Sequence, residues 1–335
     1  MKPKVLITRI IYPPAEEHLA KVCDVSIHPV DEPICREDLM TQIHDKDGLL
    51  CMVTDRIDRD IMDAAPNLKV ISTYSVGFEH IDIEEATQRG IYVTYIPGVL
   101  TEATADMAFA LLLATSRKIV QAHRFVEQGA WKAWSPTMFL GHNIWKKTIG
   151  IVGFGRIGRA MAHRARGFHM KILYTKRSRL SPEEEHGLGV EYRDIDTLLR
   201  ESDFVTLHTP LTKDTFHLIN ESRLRLMKPH AILINTSRGA IVDEQALIKA
   251  LKEDWIAGAG LDVFEKEPLP HSSSLLELPT ITFVPHIGSA TQETRFEMGE
   301  VAARNILSVF RGEEPPYWLN PEVARIRPLS RIRVL

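Results

Sequence analysis

Cysteine is scarce. Cys23, Cys35 and Cys51 are the only three in 335 residues, and no two form a CxxC pair. An odd, low count excludes a disulfide framework and suits reduced thiols in a cytosol. No apolar run approaches the ~18 to 20 residues of a spanning helix. Residues Met1 to Arg9 lack the apolar core of ~7 to 15 residues that a secretory signal needs. Neither sign of charge dominates: 41 Lys plus Arg face 44 Asp plus Glu, a formal charge of −3. Nothing therefore draws the whole chain to nucleic acid or an anionic membrane. Solenoid repeats and low-complexity tracts are absent as well. These absences leave a cytoplasmic globular protein, and at ~150 residues per domain its length suggests two domains.

Short apolar runs alternate with helical stretches along most of the chain. Lys4 to Thr8, Asp24 to His28, Gly48 to Val53, Val70 to Tyr74 and Ile91 to Thr94 read as strands. Between them, segments such as Pro14 to Lys21 and Ile57 to Ala65 have helical periodicity. Continuously apolar strands separated by helices indicate a parallel sheet covered on both faces. From Thr101 to Gly129 the strand signal stops and one long helix is expected, with Thr101 as its cap and Gly129 as its stop. The aromatic stretch Trp131 to Trp145 is too irregular for another helix. A second α/β series follows, with strands near 149–153, 170–174, 204–208, 231–235, 258–261 and 281–284, then a helix over Thr291 to Arg311 and a Pro-rich tail. The fold class is α/β, with two doubly wound parallel-sheet lobes.

Gly153-Phe154-Gly155-Arg156-Ile157-Gly158 follows the buried-strand run Ile149 to Val152 and opens a helix. Alone, GxGxxG is a weak signal. Here the strand before it, the helix after it and a second strand about 20 residues on make it a dinucleotide cradle. Gly153 permits the tight turn, Gly155 admits a pyrophosphate, and Gly158 packs the helix close to the strand. The helix N-terminus then supplies bare N–H groups and a positive dipole. The second strand runs into Lys176-Arg177-Ser178-Arg179 with no acid to hold a ribose 2′-OH. Cations and a hydroxyl suit a 2′-phosphate, so NADP(H) is expected over NAD(H). A solvated basic loop is the bland alternative.

Three later segments each place a polar residue at the carboxyl end of a strand, where an open parallel sheet binds its ligands. They are Ile232 to Gly239, Gly260 to Pro268 and Val284 to Ser289, carrying Arg238, Glu267 and His286. A guanidinium can hold a carboxylate and polarise the adjacent carbonyl. An imidazole, ordinarily titrating near ~6.5, can give the proton, and a carboxylate beside it orients the ring and stabilises imidazolium. Singly these are a loop cation, a surface charge and a core imidazole. Together, downstream of the cradle, they form a unit for reducing a 2-oxo acid.

With these motifs in order, the chain resembles the D-2-hydroxyacid dehydrogenases, and within them is most similar to glyoxylate/hydroxypyruvate reductases. The carriers are Tyr74 to Phe78, Ala103 to Asp106, Gly153 to Gly158, Asn235 to Gly239, Leu261 to Phe264 with Glu267-Pro268, and Pro285 to Gly288. The resemblance covers nearly the whole chain. It implies that Arg238 binds the substrate carboxylate, that His286 is the acid/base and that Glu267 supports it. It implies that Ser75, Val76 and Gly77 meet the same carboxylate through backbone N–H groups. Cofactor contacts are implied at Thr104, Thr209, Pro210, Asn235, Thr236, Ser237, Asp262, His286 and Gly288. These join the cradle residues and Lys176, Arg177 and Ser178.

The family fold also implies the domain boundaries. Residues 1–99 with 288–335 make a smaller, flavodoxin-like substrate domain. Residues 100–287 make the inserted Rossmann cofactor domain, whose dimerisation arm lies near 120–147. The resemblance implies substrate between closing lobes and a homodimer in which Trp134 borders the partner's site. Phosphite dehydrogenases are similar down to Thr54-Asp55-Arg56-Ile57-Asp58, but carry Lys where Val76 stands. Formate dehydrogenases pair the His with Gln rather than Glu. Phosphoglycerate dehydrogenases often add C-terminal regulatory domains, for which no residues remain after Leu335. Corepressors of this fold, which sense nucleotide without turnover, are the alternative of a different class. The other histidines show no HxxEH or similar spacing, so no metal is expected.

Overall fold

The computed structural model describes residues 2–13 and 15–335. Met1, in the N-terminal segment read above, and Pro14, the expected start of the first helix, lie outside the described residues. The chain divides into two units, Met1–Leu100 with Ala290–Leu335, and Thr101–Ser289.

In the first unit, apolar runs become strands buried on both faces, except for Asp24–Ile27, an edge strand exposed or half-buried along its length. β1 (Lys4–Ile7), β2 (Asp24–Ile27), β3 (Gly48–Cys51), β4 (Val70–Thr73) and β5 (Tyr92–Thr94) form one parallel sheet in the order β2-β1-β3-β4-β5. Successive side chains point to opposite faces. Val5, Leu50, Val70 and Tyr92 accordingly enter one core, and Leu6, Leu49, Ile71 and Val93 the other. The helix Gln292–Arg311 covers the first face with Met298, Ala302, Ile306 and Phe310. Thr291 starts it by accepting from the Thr294 N–H at 3.1 Å, and Gly312 stops it at φ +75°. Burying a side chain such as Phe310 is worth roughly 1.5–3 kcal/mol, so this returning helix is part of the unit's core.

In the second unit the same logic gives β6 (Thr148–Val152), β7 (Lys171–Thr175), β8 (Glu191–Tyr192), β9 (Phe204–Leu207), β10 (Ile232–Asn235), β11 (Gly258–Leu261) and β12 (Ile281–Phe283). All are parallel, in the order β12-β11-β10-β9-β6-β7-β8. Strand order reverses between β6 and β9, the switch point outside whose carboxyl ends ligands bind in such sheets. β8, two residues long, is too short for any periodicity to announce.

The helix expected over 101–129 is two helices, Thr101–Ser116 and Ile119–Glu127. Ser116 turns its hydroxyl back onto the Leu112 carbonyl at 2.5 Å, and Lys118 takes a left-handed conformation at φ +52°. Neither Gly nor Pro marks this break. No helix among the described residues is long and apolar enough to cross a membrane.

Candidate active site

The cradle follows from three glycines. Gly153 ends β6 at φ +91°, and a Cβ there would stand 2.3 Å from the His208 carbonyl oxygen. A Cβ on Gly158 would stand 2.2 Å from the Gly153 oxygen, so helix and turn touch backbone to backbone. Gly155 meets nothing within 4 Å where its Cβ would be, and the helix Arg156–Gly167 that it caps has no side-chain cap. Open space at a bare helix N-terminus suits a phosphate group. At the end of β10, the Thr236 hydroxyl is buried with no hydrogen-bond partner. A buried polar atom left unpaired costs free energy and points to a missing partner. These features fit a dinucleotide.

Beyond β7, Lys176 is half-buried and Arg177 and Ser178 are exposed. Arg179, the fourth member of the run, is already bound twice to Glu185, at 2.8 Å each. Among the described residues neither Lys176 nor Arg177 has an ion-pair partner within 4 Å, and no carboxylate takes the place after Thr175. Thr209 is half-buried and Pro210 exposed, just beyond β9.

Three loops at the carboxyl ends of β10, β11 and β12 carry the chemical groups. Glu267 and His286 meet: Nδ1 of the imidazole lies 2.7 Å from Oε2 of the carboxylate. The other carboxylate oxygen accepts from the Phe264 N–H at 3.0 Å, which fixes Glu267 in its own turn. Burial pushes the Glu267 carboxyl up. The His286 hydrogen bond and charge, the Phe264 amide and the Arg238 guanidinium outweigh it, and the net shift is downward. Glu267 is thus ionised beside the ring. His286 itself sits at φ +54°, a left-handed conformation uncommon for a non-glycine residue.

Asp262 holds it. Its carbonyl accepts from the His286 N–H at 2.9 Å, and its carboxylate accepts from the Ile287 and Gly288 N–H groups at 2.6 and 2.9 Å. Burial lifts the Asp262 carboxyl to about 6 against the pull of those amides and of His286. The side chain expected at a cofactor also holds the His286 loop. Asn235 and Ser237 likewise make hydrogen bonds within the protein. Asn235 donates to the Arg238 carbonyl at 2.8 Å and accepts from Ser237 N–H at 3.0 Å; the Ser237 hydroxyl donates to the Leu207 carbonyl at 2.6 Å. The Arg238 guanidinium, half-buried, donates to the Ser237 carbonyl at 2.8 Å. Thr104 is buried beside Gly288.

In the first unit, the loop after β4 holds Ser75, buried, with Val76 and Gly77 half-buried. The Ser75 hydroxyl donates to the Gly77 carbonyl at 2.6 Å. Among the described residues, the N–H groups of Val76 and Gly77 donate to no protein acceptor. Such bare amides are competent to bind an anion.

Sequence spacing missed one cluster. His217, Asp243 and Glu265 bring ligand atoms within 4.8 Å of one another. Their separations in the chain match no ligand motif, and His217 already contacts Glu265 at 2.9 Å. The aromatic stretch after the helix Ile119–Glu127 is irregular and exposed: Trp131, Trp134 (77% exposed), Leu140 and Trp145 all face outward.

A family model described as D-isomer specific 2-hydroxyacid dehydrogenase, NAD binding domain, matches residues 109–288. The glyoxylate reductase of Thermofilum pendens is 54% identical over 336 residues, spanning 100% of this chain and 99% of that protein. A crystal structure of a Thermus thermophilus protein superposes with a TM-score of 0.90 at 45% identity, over 94% of this chain and 99% of that one. The NADPH-dependent glyoxylate/hydroxypyruvate reductase of Sinorhizobium meliloti, solved with NADP and malonate, superposes at 0.83 with 32% identity, over 96% and 98%.

Proposed function

Since the chain belongs to the D-isomer specific 2-hydroxyacid dehydrogenases and is thus an NAD(P)-dependent oxidoreductase, we propose that it reduces glyoxylate to glycolate and hydroxypyruvate to D-glycerate, with NADPH preferred over NADH. The observation that carries the reading is the 2.7 Å contact between His286 Nδ1 and an ionised Glu267. A carboxylate on Nδ1 leaves Nε2 as the nitrogen that exchanges a proton with substrate.

The nicotinamide, when bound, supplies the hydride. His286 protonates the carbonyl oxygen during reduction and takes the proton back in oxidation. Glu267 stabilises the imidazolium and holds its plane. Arg238 clamps the substrate carboxylate and fixes the carbonyl at reacting distance. The bare amides of Val76 and Gly77, with Ser75 shaping their loop, give the carboxylate a second set of donors. Lys176, Arg177 and Ser178 meet the cofactor's 2′-phosphate.

The molecule acts as a cytoplasmic homodimer in this reading, joined through the helix Ile119–Glu127 and the arm beyond it. That helix buries none of its residues, and Ile119 and Val126 are more than half exposed. An uncovered apolar face of this kind is what a two-fold interface buries.

Steady-state turnover of glyoxylate and hydroxypyruvate with each reduced cofactor tests the proposal. Higher kcat/KM with NADPH is expected, and Lys176→Ala with Arg177→Ala should lower it selectively. A wild-type preference for NADH defeats the cofactor assignment. His286→Ala should lower kcat by roughly a hundredfold or more with NADPH affinity nearly intact; lost NADPH affinity at full turnover defeats the acid/base role.

A further inference from the structure

We infer that Thr73 and His80 are positioning residues for the substrate loop: a directed hydrogen-bond relay from His80 through Thr73 and Ser75 to the Gly77 carbonyl fixes the backbone that presents the bare amides. The inference rests on the reading of Ser75–Gly77 as a carboxylate-binding loop.

Thr73 is the last residue of β4 and is fully buried. Its Oγ1 lies 2.6 Å from the Ser75 hydroxyl and 3.1 Å from His80 Nε2. Ser75 Oγ lies 2.6 Å from the Gly77 carbonyl oxygen, which can only accept. A hydroxyl has one proton to donate. Ser75 uses its proton on Gly77, so it must accept from Thr73. Thr73 then has no proton left for His80, so His80 must donate from Nε2. Only this polarity satisfies all three contacts.

The consequence falls on the loop. The relay turns the Gly77 carbonyl onto a side chain of its own loop and leaves the Val76 and Gly77 N–H groups unspent. It is anchored in the sheet, because Thr73 sits in the β4 ladder beside β3 and β5. Tyr74, between relay members, adds a second tether by donating to the Arg295 carbonyl at 2.6 Å. The loop is therefore set before substrate arrives, and its entropy need not be lost on binding.

Thr73→Val keeps the shape and deletes the donor and acceptor in the middle. It should raise the KM for glyoxylate about tenfold, the order of one lost hydrogen bond, with kcat within about twofold and NADPH affinity unchanged. Thr73→Ser should restore KM, and His80→Gln, which keeps a donor at the corresponding reach, should do better than His80→Leu. An unchanged KM in Thr73→Val, or a fall in kcat at constant KM, overturns the relay; so does an equal rise in Thr73→Ser. Nitrogen-15 NMR of the histidines in the unsubstituted protein separates this from the function itself. Should the wild type reduce no 2-oxo acid, the functional reading fails alone. The relay then stands on a His80 Nε2–H resonance that shifts in Thr73→Val, and falls if Nε2 carries no proton.

Discussion

Replacing Glu267 by Gln preserves shape and removes the charge beside His286. In the native turn one carboxylate oxygen accepts from Phe264 N–H at 3.0 Å while the other faces His286 Nδ1 at 2.7 Å. An amide offers one oxygen and one NH2 to those two places. With its oxygen on Phe264, the NH2 points at Nδ1, which must then be bare. Rotated by half a turn, it serves Nδ1–H and sets its NH2 against the Phe264 N–H. The doubly protonated ring loses its ionic partner in both cases. A hydrogen bond to a charged group is worth ~1.5–3 kcal/mol. The two side chains are 37% and 32% exposed, and solvent screening brings the loss to about 1–2 kcal/mol. At ~1.4 kcal/mol per tenfold, the pH above which reductive turnover falls away should move down by about one unit. Glyoxylate reduction at pH 7 should then slow by up to about tenfold. The assay is kcat against pH at saturating NADPH, with glycolate oxidation as the reverse control. A midpoint that stays in place or moves upward refutes the role given to Glu267.

Arg238→Lys should lower kcat/KM for glyoxylate by roughly tenfold to a hundredfold, because an ammonium cannot make the two-pronged contact; an unchanged kcat/KM removes Arg238 from the site. Burial draws the His208 imidazole down to about 3, and its Nδ1 has no hydrogen-bond partner. The unfolded chain, titrating near ~6.5, takes the proton first as pH falls, so this group's contribution to stability is lost below that value. Denaturant titrations should show about 1.4 kcal/mol lost at pH 5.5 that is missing in His208→Asn, and equal losses in both proteins contradict it.

Much of the fold is legible because continuous apolar strands such as Gly48–Cys51 and Ile232–Asn235 have few ways to be buried other than in a covered parallel sheet. The cradle is legible for a related reason: Gly153 and Gly158 stand where backbone meets backbone, a constraint that one residue type satisfies. The break at Lys118 is not legible, since it is made by a back-bonded serine and a left-handed lysine rather than by Gly or Pro. Arg238, Glu267 and His286 can be named from their strand ends. That Glu267 and His286 touch is a property of tertiary structure, which their separation of 19 residues does not contain. The holding role of Asp262 is hidden too, because nothing in Leu261-Asp262-Val263 says that its carboxylate will be taken up by the amides of Ile287 and Gly288. The relay through Thr73 and His80 escapes sequence reading because its members lie two and seven residues from Thr73, in no spacing that signals function.

The first unit is assembled from two stretches of chain separated by the whole of the second. On a ribosome, β1 to β5 emerge long before the helix Gln292–Arg311. Until then Val5, Leu50, Val70 and Tyr92 line a face that Ala15 and Leu19 cover only in part. The nascent N-terminal segment must wait, wet and adhesive, while the middle of the message is translated and its own sheet closes. At ~5–20 residues per second that interval lasts about ten seconds or more, during which the apolar face is exposed to aggregation.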